Sequence, residues 1–89
     1  MVERSDEYII GRLIERSRLL IALSEEIPVE TKLQTQPLLK QLEQALALPA
    51  EEQDEERIRG TYGALYGELA EYPDLEALLS ALRNFVPCL

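Results

Sequence analysis

The stretch 58-IRGTYGALYGELAEY-72 decides how this chain folds. Ile58, Tyr62, Leu65, Leu69 and Tyr72 follow one another at intervals of four, three, four and three residues. That spacing brings all five onto one stripe of an α-helix. A strand would need alternation with period two, and neither this segment nor any other shows it. Gly60, Gly63 and Gly67 interrupt the segment, although each glycine costs about 1 kcal/mol relative to alanine inside a helix. With Ile58 at zero they fall at about 200°, 140° and 180°, on the face away from the Leu-Tyr stripe. Two arrangements fit: a solvated, locally loosened face, or a face that another backbone approaches closely, from within the chain or from a second copy.

Working outward, Pro73 ends this helix and Asp74 is placed to cap the next, whose Leu75, Leu78, Leu79, Leu82, Phe85 and Val86 form one apolar face up to Pro87. Upstream, the third helix is expected to begin near Ala50. Glu51, Glu52, Asp54, Glu55 and Glu56 complement the positive end of its dipole there. Glu55–Arg59 and Asp54–Arg57 have the spacing of helical ion pairs. Pro49 closes a second helix carrying Leu38, Leu39, Leu42, Ala45 and Leu46. Pro37 suits the start of that helix, with Thr35 or Gln36 as cap. Residues 29–36 fit either a short helical turn or a connector. The first helix is expected from Asp6 to Glu26, capped by Ser5 and stopped before Pro28. Ile10, Leu13, Ile14, Ser17, Leu20, Ile21 and Ser24 share one face of it. Ile9, Leu19 and Leu23 lie off that face, so the helix is apolar over more than half its circumference and calls for a second neighbour.

The expected fold is therefore all-α: an up-down bundle of about four helices, a single domain over residues 1–89. A chain of 89 residues builds a small core, and such domains usually gain stability from disulfides, metals or association. Cys88 is the one cysteine, so no internal disulfide can form. Association, most simply as a dimer, is the expected aid.

Composition narrows the function. The chain has no histidine, and 17 acidic residues stand against 9 basic ones for a net charge of −8. Histidine is the usual general base and metal ligand near neutral pH. No phosphate-binding glycine loop, nucleophile elbow or paired-cysteine motif occurs. No catalytic, cofactor or metal site is expected, and no small-molecule substrate. The net charge opposes direct binding of nucleic acid. No apolar run is long enough to span a membrane, and a lone cysteine suits the cytoplasm.

What remains is a non-enzymatic protein-interaction module, a small acidic regulatory, adaptor or accessory subunit that binds a protein partner, itself, or both. The candidate interface is Gly60, Gly63 and Gly67 with Tyr62, Tyr66 and Arg59, where the guanidinium is positioned to stack on Tyr66. The alternative is an acidic inhibitor that mimics nucleic acid and occupies a basic groove of a partner through Glu51, Glu52, Asp54, Glu55 and Glu56. Those five belong to residues 50–76, which hold nine acids and two arginines. Arg4, Arg12, Arg16 and Arg18 on the first helix offer that segment a complementary charge, in the same chain or in another copy.

Overall fold

The computed structural model describes residues 4–89, with side chains from Asp6 onward. Four α-helices follow in order: α1 Arg4–Leu23, α2 Val29–Ala47, α3 Glu55–Leu69 and α4 Pro73–Arg83, with a 3₁₀ turn at Ala50–Glu52 before α3. There is no strand among the described residues. Consecutive helices pack on each other, and α4 closes back onto α1. The Cα radius of gyration is 12.4 Å, the value of about 12 Å that a folded chain of this length should have.

Cross-helix hydrogen bonds show the sense of the helices. Lys32 Nζ donates to the Ala22 carbonyl and Gln36 Nε2 to the Arg18 carbonyl. The partner climbs one turn on α2 while it descends one turn on α1, so the two helices are antiparallel. Tyr62 donates to the Leu79 carbonyl and Tyr66 to Glu76, which gives α3 and α4 the same antiparallel relation. The fold is thus two helical hairpins packed face to face, a bundle as the periodicity implies.

The stripes form the core. Ile58, Tyr62, Leu65 and Leu69 of α3 are buried, as are Ile10, Ile14 and Ile21 of α1, Leu39 and Leu42 of α2, and Leu75, Leu79 and Leu82 of α4. Ile27, in the α1–α2 link, joins them although no periodicity singled it out. Two buried polar residues, Ser17 and Thr35, donate to carbonyls one turn back, Leu13 at 2.8 Å and Thr31 at 2.7 Å. An unpaired hydroxyl there would cost a few kcal/mol; bonding to the residue four back removes that cost inside the helix.

Several expected boundaries are corrected. Helix α1, described from Arg4, ends at Leu23 rather than Glu26. The Ser5 side chain, expected as its cap, lies outside the described residues. At the other end the Ser24 hydroxyl accepts from the Glu26 amide at 3.2 Å, a side-chain turn that competes with another helical turn. Helix α2 begins at Val29, so residues 29–36 are helical and Pro37 sits inside the helix instead of at its start. Thr35 and Gln36 are interior residues rather than caps. The core contacts of Thr35, Leu39 and Leu42 span the proline on one face and hold the helix through it.

Helix α3 starts five residues later than expected. Asp54 is its cap, its Oδ1 accepting from the Arg57 amide at 3.1 Å, in place of the Asp54–Arg57 ion pair. Gln53 is extended, and its side chain donates to the Leu46 and Leu48 carbonyls at 3.3 and 2.9 Å. These are carbonyls that the end of α2 would otherwise leave without a partner. Pro73 is the first residue of α4, after Tyr72 as its N-cap. Asp74, expected as the cap, lies one position inside. A proline with its fixed φ and missing N–H is at home at that first position.

Candidate functional site

The expected tyrosine-glycine interface separates into two unrelated parts. Tyr62 is 5% exposed, so it belongs to the core, with its hydroxyl tied to the Leu79 carbonyl. Tyr66 is half-buried beside it, the ring centroids 6.1 Å apart and the planes at 26°. Its hydroxyl donates to Glu76 Oε1 at 3.0 Å, and the Ser80 hydroxyl donates to the same oxygen at 2.8 Å. The cation over these rings is Arg83 of α4, 5.5 Å from each centroid, and this corrects the assignment of Arg59. Helical spacing put Arg59 near Tyr66 in angle, but α4 packs over the rings and brings its own guanidinium to them. Burial pushes the Tyr62 hydroxyl above its ordinary pKa, against the opposing pull of the Arg83 charge. The cluster fastens α4 to α3. Its groups are engaged with one another; Arg83 covers the rings from the exposed side, and Tyr66 is half-buried beneath it.

Gly60, Gly63 and Gly67 lie on the outer face of α3, exposed. A methyl group added to any of them meets nothing within 4 Å. The close approach of another helix of the same chain, one of the two arrangements the sequence allowed, is therefore absent.

The acidic residues are also divided by the late start of α3. Glu51 and Glu52 sit on the 3₁₀ turn, Asp54 caps, and Glu55 and Glu56 open the helix, all exposed. The Glu55–Arg59 ion pair does not form; among the described residues the ion pair present is Arg18–Glu15, one turn apart on α1. Arg12 and Arg16 do not reach the acidic turn. No three carboxylate or thiol groups converge as a metal site would need, among the described residues, and no described helix is long and apolar enough to cross a membrane.

Two surface features stand out, and the first of them escaped the sequence reading. The first is an open cleft of about 800 Å³ where α1 and α2 part at the N-terminal half of α1. The acidic turn and the C-terminal segment wall it, and Glu7, Glu43, Glu51 and Glu55 are among its lining residues. Cys88 also lines it; burial and then the Glu55 charge push its thiol above the ordinary range, which leaves it a poor nucleophile. The second feature is apolar. Leu19, Leu23, Val29 and Leu33 are 50%, 78%, 68% and 70% exposed. Leu19 and Leu23 lie nine residues on from Ile10 and Ile14, and Leu33 nine before Leu42, hence roughly 180° around the helix from the core. All four therefore point outward from the α1–α2 hairpin, around its turn. A signal for them existed in the leucines lying off the α1 stripe; Val29 and Leu33 carried none while residues 29–36 had no assigned helix. No protein-family model matches this chain, and neither a curated protein nor a solved structure shows a significant similarity to it.

Proposed function

We propose that the chain is a protein-interaction module of the cytosol, a small accessory subunit that acts as a two-fold dimer joined through the outer face of the α1–α2 hairpin. The observation that carries this reading is the exposed set Leu19, Leu23, Val29 and Leu33 around the hairpin turn; the other exposed large apolar residues, Tyr8 and Leu48, lie away from it. Several exposed apolar side chains grouped on one part of a surface mark association sites. Burying it in two copies yields on the order of 10 kcal/mol, the scale needed to offset the lost freedom of association.

Charge favours a second copy of this chain as the occupant. The outer face of α1 carries Arg12 and Arg16, and the hairpin link and the start of α2 carry Glu26 and Glu30, so each copy offers both signs of charge around the exposed leucines. All four are exposed, and none forms an ion pair within the chain. A two-fold interface repeats each ion pair formed across it. Catalysis has little to work with here: histidine is absent, and the lone thiol is held protonated.

Light scattering across micromolar concentrations tests the reading. Wild type should approach twice the 10.1 kDa chain mass, and Leu23→Glu/Leu33→Glu should remain at the chain mass with unchanged helicity. A wild type at 10.1 kDa throughout overturns self-association.

A further inference from the structure

The cleft at the other end of the hairpin has an unusual combination of linings. Its floor is apolar: Ile10 and Ile14 from α1, Leu46 and Leu48 from the end of α2, and Val86 and Pro87 after α4. Carboxylates stand around it, Glu7 on α1, Glu43 on α2, Glu51 on the 3₁₀ turn and Glu55 on α3, and no Lys or Arg lines it among the described residues. Gly11 lies on the wall, and a Cβ there would meet nothing within 4 Å, so the space continues to the α1 backbone. From Glu7 to Ile14 the wall runs about 10 Å, two helical turns.

This lining selects its occupant. A nucleic acid, an anionic lipid surface or an acidic peptide meets four like charges. A bare cation finds no three converging ligands among the described residues and has no use for an apolar floor. A fully apolar segment leaves the carboxylates without partners at a contact that excludes water. A helix with one apolar stripe flanked by lysine or arginine satisfies both parts: the stripe meets the floor, and the long cationic side chains reach the rim while their stems cover its apolar edge. We propose that this cleft is a docking groove for a cationic amphipathic helix of a partner protein. This goes beyond self-association through Leu19, Leu23, Val29 and Leu33, which lie towards the opposite end of the hairpin and leave the groove open.

Fluorescence anisotropy tests it with a labelled peptide of about 14 residues, roughly four turns, with leucine along one helical stripe and lysine elsewhere. Two control peptides accompany it: the same composition with the leucines scattered around the helix, and a version with glutamate replacing every lysine. The expected result is saturable binding of the striped cationic peptide, with the scattered and acidic peptides at least about tenfold weaker. Gly11→Leu fills the groove with a better helix former, so it should weaken binding by about tenfold or more without lowering the melting temperature. Glu43→Gln/Glu55→Gln should weaken binding and flatten its salt dependence, whereas Glu68→Gln/Glu71→Gln, away from the groove, should stay within about twofold. The Leu23→Glu/Leu33→Glu variant should bind as wild type does, which separates the groove from self-association. Absence of saturable binding overturns the proposal. So does Gly11→Leu binding with wild-type affinity, or an equal loss from the two glutamine pairs, since either means attraction to net charge alone.

Discussion

Pro37→Ala distinguishes two accounts of the second helix by the sign of its effect. If the helix began at Pro37, the proline would be well placed, and alanine would be neutral or slightly destabilising. In the structure the helix begins at Val29, and Pro37 is its ninth residue. The Leu33 carbonyl then has no N–H four residues on to receive, and the pyrrolidine ring crowds that carbonyl. An interior proline costs about 3 kcal/mol relative to alanine. Alanine also frees the unfolded chain, which returns about 0.4–1 kcal/mol of that. Pro37 is exposed, so its removal opens no core cavity. The net expectation is a stabilisation of about 2 kcal/mol, or roughly 8–16 °C in Tm for a domain of this size. Thermal and urea unfolding followed by circular dichroism measure it. An unchanged or lowered Tm would refute a helix that is continuous from Val29 to Ala47.

Gly63→Ala should stabilise by about 0.5–1 kcal/mol, and Gly63→Leu by somewhat less, because the site is open; a Leu variant that melts lower or changes mass would place another chain against that face. Tyr62→Phe should cost about 1 kcal/mol through the lost bond to Leu79. The folded Tyr62 pKa is raised above its ordinary 10.0, so the contribution is complete below that pH and is lost as pH rises towards the folded value. Wild-type stability should fall above about pH 10, and the fall should be shallower in Tyr62→Phe, as urea titrations from pH 8 to 11 can resolve. Leu65→Asp should unfold the domain, since an unpaired carboxylate at a fully buried site costs several kcal/mol against a total of about 5–10; an unchanged melting curve would remove Leu65 from the core.

The core was legible because burial follows phase within a helix, and phase is a property of consecutive residues. Ile58, Tyr62, Leu65 and Leu69 needed no knowledge of their neighbours. The errors fall where a second element decides. Pro37 resembles a helix start until Thr35 and Leu42 are seen on one buried face around it. Arg59 and Arg83 are equally good partners for Tyr66 by composition, and only the packing of α4 on α3 selects Arg83. Gln53 carried no signal, since its two acceptors are carbonyls of the preceding helix. The cleft was hidden for the same reason: Glu7, Glu43, Glu51 and Glu55 come from four elements and meet only when the hairpins close.

The outward leucines bear on function because stability does not explain them. Leu19, Leu23, Val29 and Leu33 remain largely exposed in the folded chain, much as they are in the unfolded one, so the hydrophobic term gains little there on folding. A lysine or glutamate at these positions would serve α1 and α2 as well by helix propensity, and better than Val29 does. The same helices place Ile10, Ile14, Leu39 and Leu42 in the core without waste. Whatever these four side chains supply therefore lies outside the single folded chain. On this argument Leu23→Glu/Leu33→Glu should leave the unfolding free energy, extrapolated to infinite dilution, within about 0.5 kcal/mol of wild type while it abolishes association. A loss of several kcal/mol in the isolated chain would mean that these residues belong to the core, and the case for an interface at the hairpin would fall with it.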